Sequence, residues 1–304
     1  MNEHKQDEEQ NNERNASFVR SGHHGDLIGE TITSDTSDIS SVPANSSQRV
    51  LIVTAVDAEK DAVLRGLGDT AAERFDVIAA GVGPASAAAG TAATLAYAVA
   101  AASTSALAHG STAPSPSDVA QTSATSSRPG PLAGAGYSPA YRLVISAGIG
   151  GGFPGRADVG SLVVADAMVA ADLGSQTPDG FLSVDELGFG SSIVAADAEL
   201  AAHLRHELQR AGLAVSGGTA VTVSTATGTA ETAAELLRRV PDAAAEGMEG
   251  FGVATAAQQF GVPALELRAI SNAVGPRDRD AWRIKDALDA LQAASSILRE
   301  VITS

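Results

Sequence analysis

The chain has 304 residues, 44% of them hydrophobic, enough to bury a substantial core, and it carries a formal charge of −16. That acidity argues against nucleic acid or an anionic membrane surface as a partner, because both must be neutralised by clustered Lys and Arg. The absence of cysteine excludes a disulfide framework, a thiolate nucleophile and a zinc-thiolate site, and it fits a reducing compartment.

Residues 1–48 open MNEHKQDEEQNNERN and stay rich in Asp, Glu, Asn, Ser and Thr. Such a segment cannot bury enough apolar surface to offset its ordering entropy, so it reads as a disordered tail. It also lacks the apolar core of a signal peptide, and the apolar stretch 91–102 is too short to span a bilayer, so a cytoplasmic location is expected.

Order is expected to begin at Arg49. RVLIVTAV reads as a buried parallel-type strand, DAEKDAVLRGL as a helix, FDVIAAGV as a strand and residues 84–102 as an Ala-rich helix with Pro84 near its start. This βαβα pattern implies a mostly parallel sheet covered by helices. Residues 103–139 turn to Ser, Thr, Pro, Ala and Gly, the composition of a flexible surface insertion that interrupts a single domain spanning 49–304. Beyond it come the strand YRLVISAG, a glycine-rich turn, the strand GSLVVADAMVA, the helix AELAAHLRHELQRAG and the strand GGTAVTVST. Helices near 229–239 and 250–260, the strand ALELRAIS and a closing helix near 283–302 complete the chain, with no internal repeat.

The segment AGIGGGFPG contains a formal G-x-G-x-x-G at Gly150, Gly152 and Gly155. A dinucleotide fingerprint needs a helix to follow, so that the helix N-terminus faces the pyrophosphate, whereas Pro154 and GSLVVADAMVA lead into a strand. The dinucleotide reading is therefore rejected. A glycine-dense turn still lets a ligand approach the backbone, with positive φ available. A second such turn, AAGVG at 79–83, lies at the carboxyl end of a strand, where open α/β sheets bind ligands. Glu59 falls at the same rim, although an acid in a first helical turn also serves simply to complement the helix dipole. EGMEGFGVA sets Glu246 and Glu249 beside Met248 in an apolar run, where an unpaired carboxylate would be costly to bury. LRAISNAVG puts Arg268, Ser271 and Asn272 at the carboxyl end of a strand. No ligand spacing typical of a closed metal site appears, so neither a metal nor another cofactor is expected.

In order, AVDAE, AGVG, SAGIGGGF, GMEG and RAISN resemble the nucleoside phosphorylase and nucleosidase superfamily, over residues 49–102 and 140–304. VVADAMVAADLG, DELGFG, EGMEGFGVA and RAISNAVGPRDRDAW resemble its futalosine hydrolases in particular. The resemblance implies a single-domain, three-layer αβα fold around a central mixed, mostly parallel sheet. It also implies a homo-oligomer acting on a small-molecule purine nucleoside in menaquinone biosynthesis. Carried onto matching positions, it makes Glu59 the residue that activates water, Met248 and Glu249 the ribose holders, and Asn272 the group at the purine. Gly81 and Gly148 of the two glycine turns, with Arg268 and Ser271, are read as further substrate contacts.

The chemistry agrees with these roles. N-glycosidic cleavage builds positive charge on the ribose and negative charge on the departing base, so carboxylates near the sugar and donors near the base both favour the transition state. Adenine-specific relatives carry Asp where this chain has Asn272. An amide supplies no proton but donates hydrogen bonds to N7 or a 6-oxo group, which points to a hypoxanthine leaving group. Phosphorylases of this superfamily hold phosphate with an Arg after the first strand and another on a later strand, where this chain has AVDAEK and Ile145. Hydrolysis is favoured accordingly, with Arg142 and Arg156 the remaining cations that could serve phosphate. Arg277, Arg279, Arg283 and Trp282 of GPRDRDAWR form either a solvated surface or a site for a substrate carboxylate and an aromatic ring. The competing readings are a phosphorylase, a methylthioadenosine-type nucleosidase, and a non-catalytic nucleoside-binding protein on the same fold.

Overall fold

The structure, a computed structural model, describes residues 48–69, 73–108 and 140–303. The expected tail lies almost wholly outside the described residues, as does the insertion from residue 109 to 139.

The chain opens with β1 (Arg49–Thr54), α1 (Asp57–Leu67), β2 (Phe75–Ala79) and α2 (Pro84–Ala108). β1 is buried along almost its whole length and pairs parallel with β2 and with β3 (Tyr141–Gly152), which is why it reads as an unbroken apolar run. Then follow β4 (Leu162–Val164), β5 (Ala167–Ala170), the exposed hairpin β6 (Gly174–Thr177) and β7 (Gly180–Ser183), and β8 (Ile193–Ala195). The last part comprises α3 (Ala198–Arg210), β9 (Val215–Ser216), β10 (Thr219–Thr222), α4 (Ala230–Arg239), β11 (Ala243–Gly247), α5 (Gly250–Gln259), β12 (Ala264–Ala273) and α6 (Ile284–Thr303).

These elements make three layers. On one face of the sheet, Ala62, Val63 and Leu67 of α1 share a core with Leu204 and Leu208 of α3 and Leu291 and Leu298 of α6. On the other, Ala87 and Leu95 of α2 pack with Val253, Ala254 and Ala257 of α5. The sheet between them is mixed and mostly parallel; β11 against β3, β4 against β12 and β8 against β5 are its antiparallel pairs.

Three expectations need correction. The helix from Pro84 runs to Ala108 rather than ending at residue 102, since Ser-Thr-Ser-Ala-Leu-Ala brings neither Gly nor Pro to stop it. GSLVVADAMVA is two strands, broken at Ala165–Asp166. β4 pairs with β12 and β9, whereas β5 pairs with β10 and β8. The strand order β8-β5-β10-β11-β3-β12-β4-β9 puts four strands between β4 and β5. In a flat sheet they would stand roughly 24 Å apart, far beyond the reach of two residues, so the sheet curls back on itself. Asp166 fixes the crossing by accepting from Arg205 at 2.7 Å and from the Gly218 N–H at 2.8 Å.

The third correction concerns the glycines. Gly148 through Gly152 form no turn; they continue β3, and none of them has positive φ. Their lack of a Cβ answers crowding instead. A Cβ at Gly150 would lie 2.6 Å from the Glu246 carbonyl oxygen, and one at Gly151 would lie 2.8 Å from Val274 Cγ2.

Candidate active site

The site follows from how β3 shares one of its edges. β12 covers the opposite edge from Val144 to Gly152. On the shared edge, residues 141–146 pair with β1, while Gly151 and Gly152 pair with β11 running the other way. The carboxyl ends of β1 and β11 therefore face each other across 147–150, a stretch that neither strand pairs. A cavity of about 500 Å³ opens here.

Glu59 closes part of that gap. It is the third residue of α1, and its Oε2 accepts from the N–H groups of Ala55 and Val56 at 2.9 and 3.3 Å, the return bond of a capping box. Its Oε1 accepts from the Ile149 N–H at 2.9 Å, which satisfies an amide of the unpaired stretch. Only 4% of Glu59 is exposed, and that remnant faces the cavity. The same carboxylate thus caps the helix and lines the cavity.

Glu249 precedes α5. Its Oε1 accepts from the Gly83 N–H at 3.1 Å, tying it to the turn before α2, where Gly81 and Gly83 take positive φ values of 97° and 91°. Its Oε2 lies 3.3 Å from Arg268 Nη1. Arg268 is fully buried beneath the cavity floor. Its Nε donates to Glu266 Oε1 at 2.7 Å and its Nη2 to Ser146 Oγ at 3.0 Å. Burial alone would lower its pKa, but Glu266, Glu249 and Glu59 outweigh burial and raise it. Burial pushes the Glu266 carboxyl up, and Arg268 opposes that push. This cation is committed to three acids, so it cannot take a phosphate without stranding them.

A further wall is set by β12. A register shift between Ile270 and Asn272 turns Asn272 to the cavity. Ser271 Oγ lies 2.8 Å from Asn272 Oδ1 and 3.2 Å from the Gly150 carbonyl, and the Asn272 amide nitrogen gives one of its two hydrogens to the Ala273 carbonyl at 3.0 Å, which leaves it one to offer. Glu246 on β11 also lines the cavity. Its Oε1 accepts from the Thr227 N–H at 2.9 Å, while its Oε2 is buried without a partner. Burial pushes its carboxyl above the usual range, opposed by Thr227 and reinforced by Asp172.

Of the residues singled out from sequence, Glu59, Met248, Glu249, Ser271, Asn272, Arg277 and Trp282 line this one cavity. Gly81, Gly148, Arg268 and Arg279 do not. Gly81 donates to the Ala55 carbonyl at 3.1 Å and shapes the turn, Gly148 packs beneath Glu59, and Arg268 is the buried counter-ion. Arg277 sits 5.4 Å from the Trp282 ring centre and Arg279 5.8 Å, while Arg283 pairs with Asp286 at 2.6 Å. Arg142 and Arg156 are engaged elsewhere, donating to the carbonyls of Ile302 and Pro241. Sequence reasoning passed over the walls Val82, Ile149 and Val159, and it assigned Glu246 no role. The available signal was Glu266 two residues before Arg268: same-face positions in a strand, acid against base, in a segment otherwise apolar.

A family model described as the phosphorylase superfamily matches residues 77–304. The futalosine hydrolase of Streptomyces coelicolor is 46% identical over 271 residues, covering 84% of this chain and 97% of that protein. The futalosine hydrolase of Thermus thermophilus is 37% identical over 147 residues, 48% of this chain and 64% of that protein. Among solved structures, the native futalosine hydrolase of Helicobacter pylori superposes with a TM-score of 0.58 at 18% identity, covering 84% of this chain and 98% of that one. The 5′-methylthioadenosine/S-adenosylhomocysteine nucleosidase of Neisseria meningitidis in complex with methylthio-immucillin-A gives 0.58 at 17%, covering 84% and 99%. At such identities the superpositions speak for the fold alone.

Proposed function

Because the chain belongs to the phosphorylase superfamily, in the family of the Streptomyces coelicolor futalosine hydrolase, we propose that it hydrolyses the N-glycosidic bond of futalosine. The products are hypoxanthine and dehypoxanthinyl futalosine, and the step belongs to menaquinone biosynthesis. The observation that carries the reading is that Glu59, Glu249 and Asn272, drawn from three separate elements, line one cavity.

In this mechanism Glu59 takes a proton from water as the water oxygen bonds to C1′ of the ribose. The bond from C1′ to the purine nitrogen breaks, and its electron pair leaves with the base. Three backbone donors hold the Glu59 carboxylate in one orientation, so little reorganisation is needed at the moment of reaction. Glu249 accepts from the ribose hydroxyls, and its negative field favours the sugar as it turns cationic. Asn272 donates toward N7 or O6 and steadies the charge on the purine, which then takes a proton from solvent. Water is the acceptor because, among the described residues, the cation nearest Glu59 and Glu249 is Arg268, which Glu249 and Glu266 neutralise.

The test is incubation of purified protein with futalosine and with inosine, with and without phosphate, following free base by chromatography. Hypoxanthine release independent of phosphate is expected. Phosphate-dependent release with a sugar 1-phosphate product would make it a phosphorylase, and binding without release a silent nucleoside-binding protein. On the same reading the enzyme is a cytoplasmic homo-oligomer that needs no cofactor, with residues 1–48 and the insertion outside its catalytic domain. Size-exclusion chromatography with light scattering tests the oligomer.

A further inference from the structure

Arg268 divides its donors among four groups. Nε donates to Glu266 Oε1 at 2.7 Å, within the range of a charge-assisted bond, and Nη2 donates to Ser146 Oγ at 3.0 Å. Only Nη1 is left for the cavity side, where it lies 3.4 Å from the Ile149 carbonyl and 3.3 Å from Glu249 Oε2. The guanidinium therefore meets Glu266 closely and Glu249 loosely, through a single nitrogen. Glu266 itself is wholly buried and does not line the cavity.

Three glycines make room for this arrangement. A Cβ on Gly148 would stand 2.8 Å from Arg268 Nη1, and one on Gly247 would stand 3.0 Å from Arg268 Cζ, so the guanidinium packs against bare backbone in both places. A Cβ on Gly250 would overlap the Glu266 carboxyl. Gly250 follows Glu249 directly and opens α5, so Glu266 packs against the same stretch of backbone that carries Glu249.

A guanidinium is a planar fork that fits a carboxylate with two parallel bonds and so occupies both of its oxygens. Glu249 is within reach of such a grip, which would take the acceptors that the ribose hydroxyls need and cancel the negative charge that favours a cationic sugar. Glu59, the third acid near Arg268, is already fixed by three backbone N–H groups, so Glu249 is the one a released guanidinium would take. Ser146 is neutral and cannot oppose that pull. Glu266 can, from the same face of β12 two residues away.

Resting on the hydrolase reading above, we propose that Glu266 is a positioning residue: it holds Arg268 by Nε so that the guanidinium steadies Glu249 without capturing it. Glu249 then keeps its oxygens and its charge for the sugar. Burial pushes the Glu266 carboxyl up and Arg268 draws it back, so the two buried charges depend on each other.

The experiment is a double-mutant cycle on futalosine hydrolysis with wild type, Glu266→Gln, Glu249→Gln and the double variant. Glu266→Gln keeps the shape and removes the charge, and its kcat/KM is expected to fall about tenfold or more. In the Glu249→Gln background no carboxylate is left to capture, and the same substitution should change kcat/KM by less than about twofold. Hypoxanthine alone, which carries no ribose, should bind Glu266→Gln within about twofold of wild type by calorimetry. Glu266→Asp keeps the charge on a shorter stem. It should lose less than Glu266→Gln and show the same dependence on Glu249, so the cycle stands even where the neutral variant does not fold. Unchanged kcat/KM in Glu266→Gln, losses that multiply across the cycle, hypoxanthine affinity lost along with turnover, or Glu266→Asp worse than Glu266→Gln would each overturn the assignment. If wild type releases no hypoxanthine from futalosine, the hydrolase reading falls instead, and the same cycle, read on affinity for futalosine, still decides the role of Glu266.

Discussion

Gly148 lies so close beneath Glu59 that a Cβ placed on it would stand 2.6 Å from Glu59 Oε1, and 2.8 Å from Arg268 Nη1. Neither neighbour can give way freely. Glu59 is fixed by three backbone donors, and Arg268 is enclosed by acids. Gly148→Ala is therefore expected to displace Glu59 and to lower kcat by at least about tenfold, because small misplacements of a reacting group are expensive. Gly228→Ala, with open space around its Cβ and no positive φ, is the control. Wild-type turnover in Gly148→Ala would contradict the tight packing described.

Removing the base itself should cost more. Glu59→Gln keeps nearly the same volume but cannot accept a proton, and kcat is expected to fall by about 10²–10⁴-fold. Binding of the free base, measured by calorimetry, should change little. A variant with near-normal kcat would assign proton removal to another group.

Asn272→Asp replaces a neutral donor with a carboxylate that faces the departing purine. At neutral pH the new charge opposes the negative charge developing on a 6-oxopurine, so kcat/KM on the hypoxanthine nucleoside should fall by about tenfold or more. The 6-amino counterpart should lose less, because a protonated Asp can serve its N7. Full activity on the hypoxanthine substrate would remove Asn272 from the purine end.

Arg277 is the cation of its segment that reaches the cavity, and it lies over Trp282. Arg277→Ala is expected to raise KM for a carboxylate-bearing nucleoside such as futalosine by about tenfold while leaving inosine within about twofold. Parallel alanine variants at Arg279 and Arg283 should leave that discrimination intact. Unchanged kinetics for all three would return the segment to a solvated surface.

The raised pKa of Glu246 makes a prediction about stability. A carboxyl whose folded pKa exceeds its unfolded value contributes stability in full below the unfolded value, and loses it as pH climbs through the folded one. Glu246→Gln does not titrate. Its melting temperature relative to wild type should therefore increase between about pH 4 and pH 7. A constant difference across that window would mean that ionised Glu246 carries no burial penalty.

Much of the architecture was legible because burial leaves periodic traces. RVLIVT and ALELRAIS read as strands since both faces are covered, and the helices from Ala198 and Ala230 keep the polar caps Asp197 and Thr229 that announce them. The break at Ala165–Asp166 was not legible, because curling of the sheet is a tertiary event and both halves of GSLVVADAMVA are equally β-prone. Glycine misled for a related reason. Freedom at φ and tolerance of close neighbours demand the same residue, and only the neighbours, Glu59, Arg268 and Glu246, tell the two apart. At the site, Glu59 and Glu249 were singled out by motif order, and both line the cavity. Arg268 did not reveal from sequence that it would be buried under them, and Glu246 concealed its free oxygen, since a hydrogen-bond vacancy belongs to geometry and not to residue type.

The triple anchoring of Glu59 also bears on how this enzyme could decay over evolutionary time. Any non-accepting replacement at that position orphans the amides of Ala55, Val56 and Ile149 in the same mutation that ends turnover. A descendant that abandoned chemistry would have to rebuild the join between two strand ends before it could drift. Selection for a foldable protein alone thus keeps an accepting oxygen at this position, a demand that Glu meets with both oxygens and Gln with one.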